Sequence, residues 1–132
     1  MRKFLFMTSL FSLCACSGAV PEGSLVGDYV AKYGDETATL SLRADHTYTH
    51  TVRASGRQIG EEVSTWMASQ LKASWAETTA VDFSDFIPIP SFRDKQRVKA
   101  GLVTEVERTW LGRVQLCFDS DLGYCYVKQS SE

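Results

Sequence analysis

His46 and His50 bracket the run HTYTH, a spacing that can hold a metal ion. On a helix, residues four apart lie on one face and can share an ion. On a strand they also share a face, but stand about 13 Å apart at ~3.3 Å per residue. Ligand bonds to zinc are about 2 Å long, so one ion cannot bridge that gap. Thr47, Tyr48 and Thr49 favour a strand, so the pair reads as two hairpin-edge histidines and no metal site is expected. Asp119, Ser120 and Asp121 before Gly123 look like the opening of a calcium loop. They lack a third oxygen ligand in phase and a distal glutamate, and an Asp- and Gly-rich turn is the ordinary reading. The chain has no nucleophile elbow, phosphate loop or metal-spaced cysteine set. No catalytic residue, cofactor or enzymatic activity is therefore expected. The 132 residues carry a net charge of −2 with 23% charged residues, which gives no basis for a nucleic-acid partner.

The chain has four cysteines. Cys117 and Cys125 flank a turn made by Asp119, Ser120, Asp121, Leu122 and Gly123. If Phe118 pairs with Tyr124 in that hairpin, Cys117 lies opposite Cys125. Directly opposed residues have Cα atoms about 4.5–5.5 Å apart, which a disulfide can span. A Cys117–Cys125 disulfide is expected, with a bulge at Gly123 as the feature that would disturb it.

Cys14 and Cys16 follow a different logic. Arg2 and Lys3 precede an apolar run over 4–13, about ten residues long. That suits a signal-peptide core and falls well short of the ~20 needed to span a bilayer. Leu13-Cys14-Ala15-Cys16 resembles the lipobox of bacterial lipoproteins, with leucine three residues before the modified cysteine and a small residue just before it. The resemblance implies cleavage after Ala15 and lipid attachment at Cys16. Cys14 leaves with the signal, and losing Arg2 and Lys3 makes the mature chain two charges more acidic. Ser17, where inner-membrane lipoproteins commonly carry Asp, implies the outer membrane and a domain facing the periplasm. One acyl chain binds only marginally, so the two or three chains of such proteins make the anchor effectively permanent. An exported domain also meets an oxidising compartment, as the disulfide requires. The chain then divides into a signal peptide (1–15), the lipidated cysteine with a short tether (16–24), and one β-rich domain (25–132). A tether over 17–24 reaches under about 30 Å, so partners must be membrane-proximal or freely diffusing.

The elements follow from periodicity. The stretch 28–33 alternates loosely. Ala38, Leu40 and Leu42 share one face, and 47–53 is rich in β-branched and aromatic residues. Gly34-Asp35, Ala44-Asp45-His46 and Ser55-Gly56 mark turns. Val63, Trp66, Met67, Leu71 and Trp75 fall at helical spacing behind Glu61 and Glu62, so one helix within 61–77 stands against a continuing strand there. Both tryptophans read as core. A strand is expected over 80–83 and another over 102–110, with Leu102, Thr104 and Val106 on one side. Pro88 and Pro90 keep 86–92 out of any central strand. Arg93, Lys95, Arg97 and Lys99 read as a solvated loop, with attraction to anionic lipid as the sharper alternative. The fold class is mainly β: an antiparallel meander forming a small barrel or sandwich.

The opening GDYVAKYGDE, the LSLRADHTYTHTV hairpin and the closing DLGYCYVK resemble small lipocalin-like lipoproteins of Gram-negative bacteria. The resemblance implies a closed or nearly closed barrel and no activity. His46 stands where their hairpin glycine sits. Phe83, Phe86, Ile87, Ile89 and Phe92 form the leading candidate ligand or partner surface. The functional expectation is a non-catalytic binding module for a small apolar or lipid-like ligand. The alternative is a protein-interaction lipoprotein that assists envelope assembly or inhibits a secreted enzyme.

Overall fold

The computed structural model describes residues 19–74, 76–87, 100–119, 121 and 123–131. The readings on Cys14, Cys16, Trp75, Ile89, Phe92, Arg93, Lys95, Arg97 and Lys99 lie outside those residues. Eight strands follow one another: β1 (Gly27–Tyr33), β2 (Glu36–Leu42), β3 (Thr47–Ala54), β4 (Arg57–Ala73), β5 (Ala76–Phe86), β6 (Ala100–Arg108), β7 (Val114–Asp119) and β8 (Tyr124–Lys128). Each pairs antiparallel with the next, and β8 closes back onto β1 through Tyr29↔Lys128 and Val30↔Val127. The result is a closed eight-stranded barrel. Of the two architectures expected, it is the barrel.

Alternation builds the interior. Ala38, Leu40 and Leu42 of β2 point inward, as do Tyr48, His50 and Val52 of β3. An eight-stranded barrel has an interior about as wide as its own side chains fill. Here Tyr29, Tyr48, Trp66, Phe86, Leu116 and Tyr126 fill it, each almost fully buried.

Within 61–77 the described residues form the end of β4, to Ala73, and the start of β5, from Ala76, not a helix: β4 pairs with β3 through Thr65 and with β5 from Trp66 onward. Its helical spacing mixed two faces of a strand. Trp66 points inward, while Val63, Met67 and Leu71 are exposed. The inward face also carries Glu62, and that buried carboxylate masked the period of two.

The described ladders shift register three times, once in β3–β4 after Val52 and at two bulges that adjust the phase of the aromatic rings. The β5–β6 register shifts between Phe83 and Phe86, where Asp85 takes φ 55°. The extra residue lets Phe83 and Phe86, three apart, both point inward. Tyr48 Oη donates to the Ser84 carbonyl at 2.8 Å and pins this bulge. In the last hairpin Cys117 pairs with Cys125 and the disulfide forms, with Cα atoms 4.1 Å apart. Phe118 does not pair with Tyr124. It is the bulge itself, and Asp119 takes that partner.

The amino-terminal lead-in covers one barrel end. At the end where β1 begins, a 3₁₀ turn (Glu22–Ser24) leads in. Val20 N–H donates to Thr79 Oγ1 of β5 at 2.8 Å, and Tyr29 Oη donates to the Leu25 carbonyl at 2.6 Å. Val20 and Leu25 are buried, so the part of the expected tether from Val20 to Ser24 is packed onto the barrel. This is the entry end. The β2–β3, β4–β5 and β6–β7 connections and the close of β8 share it, because each strand reverses the last. At the far end, Phe86 and Ile87 are buried.

His46 takes φ 64°, the left-handed conformation that glycine adopts freely. Its ring meets Glu22 Oε1 at 2.6 Å and the edge of Trp66. Both contacts are absent from His46→Ala and His46→Gly, while only alanine retains the left-handed strain. We expect the glycine variant to be about 1 kcal/mol more stable than the alanine variant in urea melts. Equal midpoints would show that this turn relaxes.

Candidate functional site

The two histidines of HTYTH serve different places. His46 is exposed at a turn, whereas His50 is buried inside the barrel, so the hairpin-edge reading fails for His50. His50 sits in β3 directly opposite Glu62 of β4. Its Nδ1 lies 2.8 Å from Glu62 Oε1, and its Nε2 lies 2.8 Å from Tyr126 Oη of β8. The backbone N–H of Ile87 donates to the same Glu62 oxygen at 3.0 Å.

Burial, aided by the charge of Glu62, holds the Tyr126 phenol well above its ordinary pKa. The phenol therefore keeps its proton. Against a carboxylate acceptor Nδ1 is the donor to Glu62, and Nε2 meets the Tyr126 hydroxyl. Burial raises the Tyr48 phenol as well.

Carboxylate, imidazole and hydroxyl in line is the order found in nucleophilic triads. Here the hydroxyl is a phenol with 1% exposure, and no substrate atom reaches it in this packing. The arrangement holds register: a slip by one residue would turn Glu62 outward and strip two buried donors of their acceptor.

Around this trio stands an aromatic cluster. The Phe86 ring stacks on His50 and on Phe118, with centroids 4.7 Å away in both cases. Phe83 lies 4.9 Å from Phe86, and Tyr48 lies 5.3 Å from Phe83. Of the residues singled out in 83–92, Phe83, Phe86 and Ile87 are therefore brought together inside the barrel. They do not form an outward surface.

The outward apolar residues lie elsewhere. Val63 and Met67 on β4 are 65% and 62% exposed. Leu71 continues the row on the same face, and Val103 of β6 joins it across Asp82. Trp110 and Leu111 cap the β6–β7 turn at 93% and 63% exposure. Sequence reading had Trp110 ending a strand, whereas β6 stops at Arg108 and Trp110 occupies the turn.

Among the described residues, no group of three His, Cys, Asp or Glu side chains is placed to hold a metal. Asp119 and Asp121 are exposed at the last turn. No protein-family model, curated protein or solved structure matches this chain.

Proposed function

We propose that this chain is a lipid-anchored, non-catalytic lipoprotein of the bacterial envelope that acts by binding a membrane-proximal protein. The observation that carries the reading is the outward row Val63, Met67 and Leu71 with Val103 beside it, on a barrel whose interior side chains are already packed together. Val63, Met67 and Leu71 take every second outward position of β4, about 13 Å apart at ~3.3 Å per residue, with Thr65 and Ser69 between them and Asp82 between Met67 and Val103. Exposed apolar anchors alternating with polar groups on one wall suit a protein contact, whose surfaces mix the two. The anchor at Cys16 would confine the domain to the membrane surface and limit its partners to proteins there.

One observation favours the carrier reading instead. The trio His50, Glu62 and Tyr126 sets a few convergent polar groups among aromatic rings, the usual make-up of a small-molecule site. A ligand there would have to displace Phe86 or Phe83.

Site-specific photo-crosslinking from Met67 in the intact envelope tests the proposal, with Thr39, exposed on β2 two strands away, as control. We expect one discrete protein adduct from Met67, none from Thr39, and loss of the adduct on Val63→Asp. No adduct, together with a non-covalent apolar mass on the intact protein in native mass spectrometry, would give the function to the carrier reading.

A further inference from the structure

We infer that the β6–β7 tip is a second, protein-encoded membrane contact, seated in the headgroup layer beside the lipid anchor. The inference rests on the lipoprotein reading for its orientation, and on the tip's own chemistry for its occupant. Trp110 and Leu111 occupy the two central positions of a tight turn closed by Gly112 N–H to the Thr109 carbonyl at 2.8 Å. A tryptophan with 93% of its surface in solvent is stranded unless something covers it. Arg108 and Arg113 flank the pair, and Arg108 also braces the turn through the Gly112 carbonyl at 3.1 Å. Tryptophan and leucine between two arginines match a membrane interface: the indole sits at headgroup level and the guanidinium groups meet phosphate.

Topology puts this tip where the bilayer must be. The β6–β7 turn lies at the entry end of the barrel. Val20 is held on Thr79 of β5. Ala80, next to Thr79, pairs with Glu105 on β6, the strand that rises to the tip. From that level the tip stands roughly 10 Å further along the barrel axis, allowing for strand tilt. Cys16 is four residues before Val20, so the chain between them spans at most about 14 Å. That span is long enough for an acylated Cys16 to reach the height of Trp110, and a leash this short keeps the entry end of the barrel close to the headgroups. A protein partner would have to fit in that gap, which makes lipid the occupant the geometry favours.

The test uses the full chain, processed and purified from membranes. It is reconstituted into vesicles of phosphatidylethanolamine with a minor share of phosphatidylglycerol, their acyl chains brominated. The Trp75→Phe background leaves buried Trp66 and exposed Trp110 as emitters. Bromine should quench roughly half the emission, and the quenching should vanish in Trp75→Phe/Trp110→Phe. Equal quenching in both variants, none in either, or a photo-crosslinker at Trp110 that captures a protein rather than lipid overturns the contact. The intact mass reads the anchor separately. If it shows no lipid on Cys16, the anchor reading fails. The same chain is then added to preformed vesicles, where Trp110-dependent quenching upholds the tip and its absence refutes it.

Discussion

Glu62→Ala should lower the stability of the barrel by about 3–5 kcal/mol, read as a fall in the urea midpoint at unchanged slope. Glu62 Oε1 accepts from both His50 Nδ1 and the Ile87 backbone N–H. Alanine removes the acceptor that both buried donors use. Glu62→Gln separates charge from acceptor. Its amide oxygen can take the same position, so the expected cost falls to about 1–2 kcal/mol. Equal losses for the two variants would mean that the negative charge, not the acceptor, matters. The pair His50–Glu62 joins neighbouring strands, and Tyr126 carries the connection across the interior to β8. The trio therefore ties the middle of the chain to its end, and the loss should appear in the global transition rather than as local fraying.

Much of the frame was readable from alternation. Ala38, Leu40 and Leu42 fall at every second position and became the inward face of β2 as expected, and the β-branched and aromatic run 47–53 became β3. The Cys117–Cys125 pairing was readable because hairpin geometry is local. The failures have one cause, which is that burial in a closed barrel is decided by strands far away in sequence. His50 finds its partners 12 and 76 residues along the chain, so nothing near it marks it as interior. Glu62 is a charged residue on a buried face, and it broke the alternation that would have identified β4. The two bulges moved Phe86 and Phe118 out of simple phase, and bulges carry no reliable sequence mark when Asp85 rather than glycine holds the positive φ. The exposed tip was missed because a hairpin extrapolated by period runs straight through Trp110. Only the closing hydrogen bonds end β6 before it.

Phe86→Ala should cost about 3–5 kcal/mol, and it also distinguishes the two functional readings. The Phe86 ring touches the rings of Tyr48, His50, Phe83, Phe118 and Tyr126, with centroid separations from 4.7 to 6.3 Å. Among the described residues no other ring meets so many of the cluster, so its removal leaves a void lined by aromatic rings. A dry void lined by aromatic rings takes up benzene-sized molecules. Benzene should therefore raise the melting temperature of Phe86→Ala, by the mass action of a ligand that binds only the folded state. If the native interior is a filled core, benzene leaves the wild-type melting temperature unchanged. If the wild type is stabilised too, Phe86 must swing aside without mutation. The buried trio would then be the polar floor of a site that opens on demand, and the outward row on β4 would no longer be needed to explain what the protein does.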